Sequence, residues 1–220
     1  MITVHHLNNS RSQRILWMLE ELEIPYKIEF YQRDETTMLA PKELTRIHAL
    51  GRSPVITDND ITIAESGAII EYLTEVYGTE YQPNMGTSEY HQYRYWMHYA
   101  EGSLMPQLLV KLIFDKMKTN PMPFFVKPIA KKLANTVIEI FSRPNIDRNL
   151  EFVDDHLSKN NWFCGDQLSG ADFQMSFPLE AVVARENGSN YPNILAFVDK
   201  IHSRPAYQNA LKAGGPYHYA

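Results

Sequence analysis

Three short clusters of polar residues in the first third of the chain have the residue types needed to hold a small charged ligand. The first is the turn at residues 8–11 (NNSR), which follows a short β-rich run and opens a helical pattern. Amides at a helix start point outward and the helix dipole favours an anion, so a thiolate held at this turn would be stabilised. Ser10 has two interpretations here, as a helix cap only or as a hydroxyl donor to that sulfur.

The second cluster is the segment 51–55 (GRSPV), in which Pro54 stands directly before an apolar strand pattern. A cis peptide bond at Pro54 would leave the backbone amide and carbonyl of Val55 available to an extended peptide ligand. An ordinary loop proline is the alternative interpretation, because cis bonds are the minority at X–Pro.

The third cluster is Glu65 followed by Ser66 at the start of another helical pattern. The Ser66 hydroxyl and the helix amides suit a carboxylate, whereas Glu65 suits an ammonium group. Together the two residues would hold an amino-acid head group, and the alternative is again a simple helix cap.

The elements that must position these clusters follow a βαβαββα order over residues 1–78. Residues 2–7 and 26–31 are predicted strands, and the helix between them has an apolar face. A strand, a helix and a second strand joined by short links predict a parallel pair. The spacing of Ser10 and Gln13 matches a capping box. The remaining predicted elements are a short helix at Pro41, strands at 53–56 and 61–63 that form a hairpin, and a helix ending at Gly78.

Residues 79–88 are polar, contain Pro and Gly, and are predicted to link the first domain to a second one, residues 89–220. That second domain shows only helical patterns. Its first helix is predicted from 88 to 118 with a bend near Pro106. The segment Ser169–Asp172 matches a capping box at the start of a later helix. The other helices are predicted at 125–142, 146–158, 170–186, 192–203 and 206–213.

Composition excludes several classes of protein. The chain has 220 residues and a net charge of −5, which does not favour nucleic acid as a partner. The single cysteine, Cys164, excludes an internal disulfide and is interpreted as a small buried residue. Neither a secretory signal nor a membrane span is predicted, so a cytoplasmic location is expected. The spacing of the histidines predicts no metal site.

In their order and spacing, the three clusters and the Ser169–Asp172 box resemble the cytosolic glutathione transferases over essentially the whole chain. The resemblance is closest to the fungal and bacterial branch with serine or asparagine at the active-site turn. It implies an α/β thioredoxin-like N-terminal domain followed by an all-α C-terminal domain, usually in a homodimer. It also implies that glutathione is the co-substrate and that a small hydrophobic electrophile binds between the domains.

The resemblance gives each matching residue of the glutathione site a role. Pro54 would form a cis bond, and Val55 would pair its backbone with the cysteinyl part of glutathione. Glu65 and Ser66 would hold the γ-glutamyl group. Arg52 would lie near the glycine carboxylate.

By the same resemblance, Ser10 would donate a hydrogen bond to the sulfur, with Asn9 and Ser12 as alternative donors. The chain has no tyrosine at the end of its first strand and no cysteine in the following turn. Aromatic residues on the first long helix could line the electrophile pocket or serve as core packing. The residues chosen for the pocket are Tyr99, His98 and Met105.

The implied function is activation of the glutathione thiolate for attack on hydrophobic electrophiles, with peroxidase activity on organic hydroperoxides as a second activity to test. A non-catalytic, dimeric interaction or regulatory protein of the same fold is the alternative. A glutathione-dependent dehalogenase or isomerase is a third hypothesis.

Overall fold

The computed structural model describes residues 1–185 and 190–220. Its N-terminal part holds a four-stranded sheet in the order β2-β1-β3-β4. Strands β1 and β2 pair in parallel, whereas β3 lies antiparallel to both β1 and β4, so the predicted parallel pair and hairpin are confirmed. The elements are β1 (Ile2–Leu7), α1 (Ser12–Glu21), β2 (Tyr26–Tyr31), a 3₁₀ helix (Lys42–Arg46), β3 (Val55–Asp58), β4 (Ile61–Ala64) and α2 (Ser66–Val76).

The predicted capping box at the start of α1 is wrong. The Ser10 hydroxyl accepts a hydrogen bond from the backbone amide of Ser12, 3.2 Å away, and α1 begins at Ser12. The buried side-chain amide of Gln13 makes no hydrogen bond within the described residues. Ser10 therefore accepts from the amide two residues on, one residue closer than the box spacing requires, and the N-cap position itself is held by Arg11.

The C-terminal part is helical and follows a short 3₁₀ helix (Thr79–Tyr81) inside the predicted linker. Its α-helices are α3 (Ser88–Tyr99), α4 (Met105–Thr119), α5 (Lys127–Val137), α6 (Arg143–Lys159), α7 (Gly170–Arg185), α8 (Pro192–His202) and α9 (Pro205–Gly214). The last residue predicted for the helix at 170–186, Glu186, lies outside the described residues. Within the ranges that the structure covers, every helix is too short or too polar to cross a membrane.

Two prolines are accommodated in the same way. Before Pro106, α3 runs through the five-residue π-helical segment Ala100–Leu104 into α4, so a wider turn lies where the bend was predicted. Before Pro144, the π-helical segment Ile138–Ser142 joins α5 to α6. The predicted break at 143–145 is therefore wrong. Proline lacks an N–H and clashes with the preceding α-turn, and a wider π-turn avoids both problems without ending the helix.

Helix α1 joins the two halves of the molecule. It packs against both α7 and α9, and its Trp17 is fully buried. The Trp17 ring lies 4.5 Å from that of Phe173 and 5.7 Å from that of Tyr207. A buried aromatic of this size stabilises a fold by about 3–5 kcal/mol relative to alanine. The helix that directly follows the first chemical cluster is therefore fixed by the helical half.

The start of α7 resembles the predicted capping box. Asp172 accepts hydrogen bonds from the Ser169 backbone amide and hydroxyl, each at 2.8 Å. Its second oxygen accepts from the backbone amide of Phe163 at 2.9 Å. The carboxylate thus ties the loop before α7 to the helix start.

Candidate active site

A cavity of about 180 Å³ between the sheet and the helical half brings four of the predicted residues together: Arg52, Pro54, Glu65 and Ser66. Arg11, His48 and Glu101 also line it. The cavity therefore presents three basic side chains and two acidic ones at one small site. That mixture suits a ligand carrying both carboxylate and ammonium groups.

The Ser53–Pro54 peptide bond is cis, as the resemblance implies. The Ser53 hydroxyl donates to the backbone carbonyl of His5 at 3.0 Å, which ties this turn to β1. Val55 begins β3, where it is fully buried and is paired with His5 of β1 and Ala64 of β4, and it does not line the cavity.

Glu65 and Ser66 lie at the start of α2. Glu65 has a φ of +71°, a conformation that costs free energy in residues other than glycine and that is often found at functional sites. Ser66 is buried, and its hydroxyl oxygen accepts a hydrogen bond from Arg14 Nη2. Because the oxygen is occupied as an acceptor, the hydroxyl hydrogen is available to a carboxylate.

Glu101 is a site residue that the sequence analysis did not identify. It lies in the π-helical segment before α4 and accepts hydrogen bonds from Arg11 Nε at 3.0 Å and Arg14 Nη2 at 2.6 Å. Burial alone would raise the pKa of Glu101, but the two guanidinium groups outweigh it and hold the pKa below its usual range. The bend predicted near Pro106 was the available signal, because π-segments are frequent at functional sites.

A second, larger cleft of about 400 Å³ lies beside the first, and Arg11 lines both. One wall comes from the N-terminal part, through Asn9, Arg33 and Met38. The opposite wall is formed by α4, α7 and the C-terminal tail, and its apolar members include Met105, Leu108, Leu112, Phe177 and Tyr219. The cleft has the size and apolar character of a small-molecule site.

Of the three residues chosen for an electrophile pocket, the structure brings only Met105 to this cleft. Tyr99 is buried and donates a hydrogen bond to Asn149 Oδ1, and its ring lies 5.1 Å from that of Trp96. Tyr99 and His98 line a separate shallow depression on α3. The aromatic residues at helical spacing on α3 are thus a sign of packing and not of an electrophile pocket.

The three candidate thiol donors, Asn9, Ser10 and Ser12, have different surroundings. The Ser10 and Ser12 hydroxyls are buried and share a hydrogen bond of 2.8 Å, and Ser12 Oγ lies 2.9 Å from His6 Nδ1. Asn9, by contrast, lines the larger cleft. Its Oδ1 accepts a hydrogen bond from the His218 backbone amide at 2.9 Å, so its Nδ2 group remains the donor for a ligand.

Cys164 is the only thiol of the chain and lies away from both cavities. Burial raises the pKa of Cys164 to about 12, so the side chain is protonated at neutral pH. Across residues 1–185 and 190–220, acidic, histidine and cysteine side chains form no group of three that could hold a metal ion.

Comparison with known proteins matches both halves of the chain. The family model "Glutathione S-transferase, N-terminal domain" covers residues 1–75, and "Glutathione S-transferase, C-terminal domain" covers residues 122–205. The chain is 38% identical to glutathione S-transferase 3 of Schizosaccharomyces pombe, over 96% of this chain and 87% of that protein. It is 36% identical to glutathione S-transferase 1 of Saccharomyces cerevisiae, over 94% and 92% respectively. A crystal structure of a glutathione S-transferase from Actinobacillus pleuropneumoniae superposes with a TM-score of 0.82 at 33% identity, covering 99% of this chain and 94% of that one.

Proposed function

The chain belongs to the glutathione S-transferase family, and we propose that it transfers glutathione to hydrophobic electrophiles by holding the two reactants in the two adjoining cavities. The observation that carries this proposal is Arg11, which lines both cavities and so lies where they meet. A sulfur atom of a tripeptide in the smaller cavity could reach an electrophile in the larger one. Holding two reactants in this way replaces a bimolecular encounter with a local one.

The residues of the smaller cavity suggest how glutathione binds. Ser66 and the first amides of α2 would hold the γ-glutamyl carboxylate, and Glu65 would hold its ammonium group. The backbone of Val55 would pair with the cysteinyl residue as a neighbouring strand does. Arg52, with His48 beside it in the cavity wall, would hold the glycine carboxylate.

We assign the hydrogen bond to the sulfur to Asn9, and Ser10 would act indirectly, by accepting from the first amide of α1. A thiol with a pKa of about 8.5 is only a few per cent ionised at pH 7. A hydrogen bond to a charged acceptor contributes about 1.5–3 kcal/mol, and one pKa unit corresponds to about 1.4 kcal/mol. One donor could therefore lower the thiol pKa by roughly one to two units, and the positive charge of Arg11 would add to this effect.

The proposal extends to assembly and location. We propose a homodimer in the cytoplasm, with a glutathione-binding domain at 1–78, a linker at 79–88 and a helical domain at 89–220. Peroxidase activity on organic hydroperoxides would use the same thiolate. The named relatives support the transferase over the non-catalytic interaction protein of the same fold.

Calorimetry with glutathione, together with turnover of 1-chloro-2,4-dinitrobenzene, tests the proposal. We expect saturable glutathione binding, weakened by about tenfold or more in Ser66→Ala because a charge-assisted hydrogen bond is lost. The matched control is Ser88→Ala at the exposed start of α3, which should bind like the wild type. Absence of glutathione uptake at millimolar concentration would overturn the proposed function.

A further inference from the structure

The larger cleft concentrates positive charge in a chain whose net charge is −5. One acidic side chain, Asp115, lines it, against His218 and five lysine and arginine side chains: Arg11, Arg33, Lys111, Lys116 and Arg185. From this arrangement we infer that the electrophile taken by the enzyme carries a carboxylate in addition to its apolar body. This inference rests on the proposed function, since it names the substrate class of the same cleft.

The arginines surround a pair of aromatic rings. The Arg11 guanidinium lies 5.3 Å from the centre of the Phe177 ring, and that of Arg185 lies 5.0 Å from the Tyr219 ring. The two rings are 5.5 Å apart, in edge contact. The rings hold the guanidinium groups at the cleft wall, where Arg11 Nε also donates to Glu101 and Arg185 Nη2 to the Tyr219 hydroxyl. A planar, apolar ligand with one anionic end matches this surface.

Arg33 is the basic residue best placed to hold the carboxylate. Its Nε donates to the Asn8 carbonyl at 3.2 Å and its Nη1 to the Met38 carbonyl at 3.1 Å, so the side chain is fixed in position. Among the described residues, it has these carbonyls and no carboxylate as partners. Burial lowers the pKa of Arg33, and the charge of Arg11 acts in the same direction, opposed by Tyr219. A ligand anion would relieve this repulsion between the two arginines.

The acidic residue of the cleft does not cancel the positive field. Asp115 Oδ2 lies 2.7 Å from Lys111 Nζ, and Lys118 pairs with its other oxygen at 2.5 Å. Although burial opposes ionisation, hydrogen bonds from the two lysines lower the pKa of Asp115. The Asp115 carboxylate is therefore satisfied on α4. Arg11 pairs with Glu101, whereas Arg33 and Arg185 pair with no carboxylate in the part of the chain that the structure describes.

The carboxylate takes no part in the chemistry. In the reaction with an aryl chloride, the glutathione thiolate forms a C–S bond at the ring carbon, and the C–Cl bond breaks with its electron pair leaving as chloride. The thiol proton has already left to solvent, and no oxidant or reductant is needed. The arginines act by binding and orienting the electrophile.

Equilibrium binding of two matched ligands tests the inference and does not depend on turnover. The probes are 3,5-dinitrobenzoate and neutral 3,5-dinitrobenzamide, titrated into protein saturated with S-methylglutathione. We expect the benzoate to bind about tenfold more tightly, with an advantage that shrinks as salt is raised. Arg33→Gln should remove most of that advantage and change benzamide affinity less than twofold, whereas Arg33→Lys should retain part of it. Arg148→Gln, at an exposed position of α6, is the matched control and should behave like the wild type.

Equal affinity of wild-type protein for the two probes would overturn the inference, as would equal losses for both in Arg33→Gln. The salt dependence of benzoate binding to the wild-type protein tests the inference even if Arg33→Gln folds poorly. Turnover of 4-chloro-3,5-dinitrobenzoate against its amide then tests the function separately. Preferential benzoate binding without turnover would leave the anion site in place and contradict the transferase. A change confined to glutathione affinity in Arg33→Gln would instead assign the arginine to the tripeptide and overturn the inference.

Discussion

Arg14 of α1 and Glu101 of the π-helical segment form an ion pair across the two halves of the chain, with Arg14 Nη2 2.6 Å from Glu101 Oε1. The Arg14 side chain is 1% exposed and also donates to the Ser66 hydroxyl. The residue proposed to hold the γ-glutamyl carboxylate is therefore positioned through an arginine whose charge is balanced by the other domain. Interdomain packing and glutathione binding share one contact.

Glu101→Gln should lower both stability and glutathione affinity. The change leaves the buried guanidinium of Arg14 without its anion, and we expect a loss of about 2 kcal/mol in the free energy of unfolding. Urea titration followed by tryptophan fluorescence measures it. The matched control is Glu139→Gln, because Glu139 is the second residue of the other π-segment and is exposed. An equal loss in both variants would mean that the ion pair contributes nothing specific.

Asn9→Gly should raise the pKa of bound glutathione by about one unit, because it removes a donor to the thiolate. Glycine is chosen because Asn9 has a φ of +50°, which glycine adopts without strain. The measurement is a titration of thiolate absorbance in the ultraviolet. Ser10→Ala should leave the titration nearly unchanged. A shift with Ser10→Ala alone would assign the sulfur contact to the serine.

Glu65→Gly should weaken glutathione binding without lowering the stability of the protein. The φ of +71° at Glu65 costs on the order of 1 kcal/mol, so glycine should keep or raise the unfolding free energy. Loss of the carboxylate should nevertheless weaken glutathione binding by about tenfold, as measured by calorimetry. Glu65→Gln keeps the strain and removes the charge, so it should lose affinity to a similar degree. Retained affinity in both variants would remove Glu65 from the ammonium site.

The buried side chain of His6 should make the free energy of unfolding depend on pH. Burial lowers the pKa of His6 to about 4, against a weaker opposing effect of the Gly214 backbone. Between about pH 6.5 and 4 the unfolded chain binds the proton more readily, so stability should fall as pH falls, by up to about 3 kcal/mol. His6→Asn should flatten this part of the curve. The same change at the exposed His91 should leave the slope as it is. Unfolding in urea at several pH values compares the three proteins, and identical slopes would contradict the assignment.

Local sequence patterns predicted the sheet well. Strands β1 and β2 and the hairpin of β3 and β4 follow hydrophobic alternation and turn residues, which act over a few positions. In the second half of the chain, the path of the helices at the prolines was predicted less well. Pro106 and Pro144 look alike in sequence, and whether a helix stops or widens into a π-turn is decided by packing that no local pattern contains.

Local patterns also pointed to several residues that the structure brings to the candidate site. Glu65 and Ser66 follow from their place at a helix start, a local signal. Glu101 contacts Arg14 from 87 positions away, so its role depends on how two domains meet. Asn9 lines the larger cleft and Ser10 is buried, a difference between adjacent residues of one turn that no local sequence pattern contains.

The π-turn before α4 contains one residue more than an ordinary α-turn. Removing one residue from it, for example Gly102, where an added Cβ would meet open space, would close the segment into ordinary α-turns. Because the wide turn takes up its extra residue locally, α4 would stay in phase, and Met105 and Leu108 would remain on the cleft wall. The deletion would change the position of Glu101 instead, so one lost codon could alter the smaller cavity while the lining of its neighbour stays as it is.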